Sequence, residues 1–214
     1  ATPRPGAACF GLDADDWQAL GPRLQAVKNA TLVECKGDDA HFAKNAAEQA
    51  LGLAEPGTTV LVVVNRVGTA RAIREHLRSV ENVESVLLTG RCRTLDRDLL
   101  LKKWEDRLLA GRDRSAAEGK PPLVVVATQC IEVGADLDAD ALVTECCSLD
   151  ALRQRFGRLD RLGEIRKSGK IRESKAAILI RKNQAKDNAA EDPIYGKALV
   201  RTWKWLMDKK GDGG

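Results

Sequence analysis

The stretch L-V-V-V-A-T-Q-C-I-E-V-G-A-D, residues 123–136, changes character at Thr128. Five apolar residues in succession, without alternation, read as a strand covered on both faces, as in a parallel sheet. From Thr128 the chain opens into a loop carrying Gly134 and Asp136. In open α/β sheets, ligands bind at the carboxyl ends of the strands. This stretch therefore sets a fold class and also the edge at which a site should lie.

Similar runs occur on both sides of it: T-L-V-E-C (31–35), V-L-V-V-V (60–64), V-L-L (86–88), A-L-V-T-E (141–145) and A-A-I-L-I (176–180). Helical patterns separate them at 39–53, at 69–79 (where Ala70, Ile73 and Leu77 share a face), at 95–109 behind Thr94 as N-cap, and at 195–207. Strand and helix in alternation predict an α/β, three-layer fold with a mainly parallel sheet flanked by helices. The expected domain is 31–182, with 1–30 as an extension or linker. Residues 183–214 would be a C-terminal helix and tail leading toward an accessory domain. Two loops are expected, 110–122 and 163–170; the first is polar, ends in two prolines, and should be exposed and mobile. The ends, ATPRPG and KKGDGG, read as frayed.

A length of 214 residues with 43% hydrophobic content suits one large domain. The net charge of +4 permits nucleic-acid binding without arguing for it. The six cysteines include no C-x-x-C pair, and Cys146 and Cys147 are adjacent. Buried free thiols in a reducing compartment fit this better than a zinc site or a disulfide framework. No signal peptide is evident, and no apolar run approaches the roughly 18–20 residues that span a bilayer. The expectation is a cytoplasmic protein without a membrane partner. Asp136, Asp138 and Asp140 alternate as if to bind calcium, but Ala141 and Cys147 stand where an EF-hand loop needs glycine and glutamate.

Further on, Q-R-F-G-R-L-D-R (154–161) places three arginines within eight residues. With Ser148 as N-cap and Asp150 in the first turn, a helix is predicted through this stretch. At 3.6 residues per turn, Gln154, Arg158 and Arg161 share a stripe about 60° wide. Arg155 lies about 100° away and is expected to brace the helix or a domain interface. A mid-helix glycine costs about 1 kcal/mol relative to alanine, so Gly157 suggests close approach of a backbone or a ligand.

These segments together resemble the second RecA-like domain of a superfamily 2 helicase. Q-R-F-G-R-L-D-R is similar to the last helicase motif, Q-R-x-G-R-x-x-R, and Thr128–Asp136 to the motif before it. V-L-V-V-V-N-R-V-G-T-A (60–70) and L-L-T-G-R-C-R-T-L-D-R (87–97) resemble the two earlier elements of that domain. Within the superfamily the likeness is closest to the CRISPR-associated helicase of type I systems. It rests on Thr128-Gln129-x-x-Glu132 and on the tail D-P-I-Y-G (192–196) with T-W-K-W-L (202–206).

The resemblance implies ATP with magnesium between two RecA-like domains, with Arg158 and Arg161 as arginine fingers. A planar, permanently charged fork suits the spread charge of a transferring phosphoryl group. It also implies nucleotide contacts for Gln154, Gly134 and Asp136. Contacts to a nucleic-acid backbone are implied for Asn65, Arg66, Thr89, Arg91 and Thr128. The implied partners are single-stranded nucleic acid (DNA above all), the first RecA-like domain, a CRISPR surveillance complex and a nuclease domain.

Neither G-x-x-x-x-G-K-[ST] nor an acidic D-E-x-[HD] box occurs, and His41 and His76 are isolated. The chain reads as half of a motor that is inactive alone. The alternatives are a stand-alone nucleic-acid- or protein-binding module, or a motor half of another superfamily 2 helicase acting on RNA or duplex DNA. Trp203 and Trp205, two apart on a helix, cannot both face one core; one is therefore expected at the surface, against a further domain.

Overall fold

Val60, Val62 and Val64 belong to one buried apolar cluster and Leu61 and Val63 to another, so consecutive residues of one strand fill two separate layers. The computed structural model describes residues 11, 13–132, 136–165 and 174–210. Its strands are β1 (Lys28–Cys35), β2 (Thr59–Val63), β3 (Glu84–Leu88), β4 (Leu123–Ala127), β5 (Ala141–Glu145) and β6 (Ser174–Arg181). They form one sheet in the order β1-β6-β5-β2-β4-β3, and every pairing is parallel. All six expected strands are present, and the sheet is wholly parallel where a mainly parallel one was expected.

The helices are α1 (Ala14–Leu24), α2 (Asp39–Leu53), α3 (Val67–Arg78), α4 (Thr94–Lys103), α5 (Glu105–Leu108), α6 (Leu149–Phe156) and α7 (Ala198–Lys209). Helices α2 and α3 cover one face through Phe42, Ala46, Ala50, Ile73 and Leu77. The other face is covered by Trp104 and Leu108 near β4, and by Leu152, Leu199 and Trp203 near β6. This is the three-layer α/β arrangement of RecA-like domains.

Several local expectations need correction. The 95–109 helix breaks at Trp104, whose backbone leaves the helical region, and Arg93 stands at the cap position expected for Thr94. Helix α1 occupies part of the expected extension, capped by Asp13 in a reciprocal box with Asp16. The 110–122 segment is not a free loop: it contains a 3-10 turn, Arg114–Ala117, and Arg112 and Arg114 point inward to buried carboxylates. Helix α6 begins as expected, with Ser148 accepting a hydrogen bond from the Ala151 amide, but it ends at Phe156. Gly157 is therefore its C-cap, and the atoms nearest a methyl there belong to the preceding helical turn. Of the ends expected to fray, residues 1–6 and 211–214 lie outside the described residues, as does most of the expected 163–170 loop, while Lys209 closes α7.

Candidate functional site

Because every strand runs the same way, the segments that follow Val63, Leu88, Ala127 and Glu145 emerge along one edge of the sheet. Asn65, Thr89, Thr128 and the Cys146-Cys147 pair all lie on these segments. The edge is where physical reasoning placed a site, and at its centre is Arg155.

Arg155 is 0% exposed and all five of its N–H donors are used. Nε donates to the Glu132 carboxylate at 2.9 Å. Nη1 donates to Thr144 Oγ1 and to the Glu145 carbonyl at 3.0 and 2.9 Å. Nη2 donates to Asn65 Oδ1 at 3.0 Å and to the Tyr195 hydroxyl at 3.2 Å. A buried cation is tolerable only when its charge and its donors are both answered; Glu132 supplies the charge and four other acceptors complete the set.

Asn65, expected to touch nucleic acid, is buried with both ends of its carboxamide engaged. Its Oδ1 accepts from Arg155, its Nδ2 donates to the Cys146 carbonyl at 2.9 Å, and its carbonyl accepts from Gln129. Thr128 is also buried, at the end of β4. Thr89 is half-buried, while Arg91 is exposed between β3 and α4. Arg66 is exposed at the N-cap of α3, 3.8 Å from the Asp192 carboxylate. Thus Arg66 and Arg91 present charge to solvent, whereas Asn65 and Thr128 are buried.

The predicted stripe of Gln154, Arg158 and Arg161 does not form, because the helix stops before the second of them. Gln154 is exposed on α6. Arg158 folds inward, 8% exposed, and donates from Nε and Nη2 to the carbonyls of Ile131 and Glu132 at 3.2 and 2.9 Å. Arg161 stays half-open, with Nε 3.4 Å from the Asp136 carboxylate and its backbone N–H donating to Asp138 Oδ1 at 2.9 Å. Burial, reinforced by the nearby Arg161 charge, lowers the Arg158 pKa from the usual arginine value. It stays charged at neutral pH, and it is a cation that an incoming anion would stabilise. Gly134 lies outside the described residues.

A second ion network underlies this turn. Asp138 receives Arg114 Nη2 at 2.7 Å, and Asp140 receives Arg112 Nη2 and Arg114 Nε, each at 2.9 Å. Arg114 Nη1 continues to Glu164 at 3.0 Å. Burial opposes the Arg114 charge, but Asp138 and Asp140 outweigh it and raise the Arg114 pKa. With Asp136 beside Arg161, all three members of the alternating acidic run are thus arginine partners. Among the described residues, no group of three or more His, Cys, Asp or Glu side chains is placed to hold a metal ion.

Sequence reasoning missed the roles of Glu132, Tyr195, Arg112 and Arg114. The motifs containing Glu132 and Tyr195 were visible, but nothing local in the sequence pairs either with Arg155.

A family model described as the C-terminal part of the CRISPR-associated nuclease/helicase Cas3 matches residues 56–164. A putative CRISPR-associated nuclease/helicase Cas3 of Methanocaldococcus jannaschii is 33% identical over 115 residues, which cover 53% of this chain and 15% of that protein. Among solved structures, T. fusca Cas3 with AMPPNP superposes with a TM-score of 0.70 at 19% identity, covering 87% of this chain and 22% of that one. A CRISPR RNA-guided surveillance complex in its pre-nicking state contains a chain that matches with a TM-score of 0.66 at 19% identity, over 87% of this chain and 23% of that one. The chain spans less than a sixth of the length of the curated relative, and the structural likenesses speak to the fold.

Proposed function

Because the chain belongs to the family of CRISPR-associated nuclease/helicase Cas3 C-terminal domains, we propose that it is the second motor domain of an ATP-dependent helicase or translocase, supplying Arg158 and Arg161 to ATP phosphates held by a first RecA-like domain. The observation that carries this reading is the arginine turn: Arg158 is anchored by backbone carbonyls and lowered in pKa, and the Arg161 guanidinium is half-open beside an exposed carboxylate. Both can turn toward an anion without breaking a buried ion pair.

ATP would supply the phosphoryl group, and magnesium would be held by the acidic residues of the first domain. On this chain's side, Gln154 and Asp136 flank the arginines, and Arg66 and Arg91 offer exposed charge for a single-stranded DNA backbone. A surveillance complex and a nuclease domain are the further partners that the family relationship suggests.

The test combines this chain with a first RecA-like domain and measures ATPase activity with and without single-stranded DNA. This chain alone should be inactive. In the combined motor Arg158→Ala should lower the stimulated rate by about 10³-fold or more, as loss of an arginine finger does. An unchanged rate would overturn the reading. Arg66→Ala and Arg91→Ala should each weaken DNA binding and flatten its salt dependence by about one unit of slope. Parallel titrations with RNA and duplex DNA decide the substrate class.

A further inference from the structure

The segment after β6 reaches back to this edge through Asp192, which faces Arg66, and through Tyr195, which meets Arg155. Asp192 caps its own turn: its Oδ1 accepts from the amides of Ile194 and Tyr195, both at 2.9 Å, and its carbonyl accepts from Gly196 N at 2.7 Å. Its other carboxylate oxygen receives Gln184 Nε2 at 3.3 Å and faces Arg66 at 3.8 Å. The turn is thus fixed by five contacts, and it aims the Tyr195 hydroxyl at Arg155 Nη2, 3.2 Å away. The same hydroxyl hydrogen-bonds the Gln129 side chain, whose amide donates to the Asn65 carbonyl at 2.9 Å. Tyr195 packs against the buried cluster to which Leu199 and Trp203 of α7 belong.

Glu132 makes this contact consequential. Its carboxylate holds Arg155 and its carbonyl holds Arg158. A side chain that fixes Arg155 therefore fixes the residue to which Arg158 is tied. Resting on the role given to Arg158 above, we propose that Tyr195 is a positioning residue of the motor, orienting Arg155 and Glu132 so that Arg158 is correctly placed, and tying α7 to the arginine turn. Motion of α7 would then reach the ATP site through a path of packed, hydrogen-bonded side chains, without touching the nucleotide.

The experiment uses the motor assembled from this chain and a first RecA-like domain. Tyr195→Phe keeps the ring packing and removes only the hydroxyl. With single-stranded DNA present, and well below both melting transitions, kcat for ATP should fall about three- to tenfold, the range for one lost hydrogen bond, with KM for ATP unchanged. The control is the same substitution in an Arg158→Lys background, where residual activity should not fall further, because the relay has nothing left to place. A kcat that stays intact while only the melting temperature drops overturns the proposal, as does an equal fall in both backgrounds. If Arg158→Lys alone leaves kcat unchanged, the role of Arg158 fails first and the relay with it.

Discussion

Arg155 and Arg161 are six residues apart in one basic stretch, yet removing them should destabilise the isolated domain to very different extents. Arg155→Ala strips the charge partner from Glu132 and leaves several buried acceptors unpaired. Breaking a buried pair in this way costs about 3–5 kcal/mol. Arg161→Ala removes a 3.4 Å pair to an exposed carboxylate, worth at most about 1 kcal/mol. Urea unfolding of the two variants should separate them, and equal losses would contradict the burial described. The cysteines differ in the same way. Burial, with small contributions from neighbouring charges, pushes Cys146 and Cys147 up to about 12. At pH 8 about one thiol in 10⁴ would be ionised at either site, so both should resist alkylation in the native protein, while half-buried Cys92 should react faster than either. Mass spectrometry after a short iodoacetamide pulse checks this.

At the scale of elements, α7 shows how a helix divides one sequence motif between two environments. Trp203 is 3% exposed against Cys146, Cys147 and Ile178, whereas Trp205 is 47% exposed. Trp203→Ala should cost about 3–5 kcal/mol, as for other buried aromatic truncations. Trp205→Ala should stay within about 0.5 kcal/mol in thermal denaturation of this chain. The end of α6 has a different cause. Ala139 N–H donates to the Arg158 carbonyl at 2.8 Å, and its own carbonyl accepts from Asp160 N–H at 2.9 Å. A helix continuing through Arg161 would need those backbone groups for itself. Asp160 instead takes a left-handed backbone, φ 42°, and buries its carboxylate on the Ile165 amide. Gly163 follows, with φ 70° and the Pro22 carbonyl of α1 so close that any Cβ would collide with it.

Over the whole molecule, the buried thiols set an alkaline limit. Cys35 is pushed up to about 11, and Cys146 and Cys147 to about 12, from an ordinary 9.0, in each case chiefly by burial. Between those values the unfolded chain loses protons that the folded chain keeps. The contribution to stability is therefore complete below pH 9 and declines as pH rises toward 12. Unfolding midpoints should fall across that window, and less steeply in a Cys146→Ala, Cys147→Ala variant. By itself the sequence determined the six strands and the parallel α/β class, because runs of aliphatic residues bury on both faces wherever they occur. It also determined the family, through motifs contained in short segments. The tertiary structure decided which arginine is a buried brace and which stays half-open, that the 110–122 segment is pinned, and that the arginine stretch leaves its helix. Those outcomes depend on pairs such as Arg155 with Asn65, 90 residues apart, and Arg112 with Asp140, 28 apart. A buried charge takes whichever partner the fold brings within about 3 Å, and local sequence carries no record of that distance.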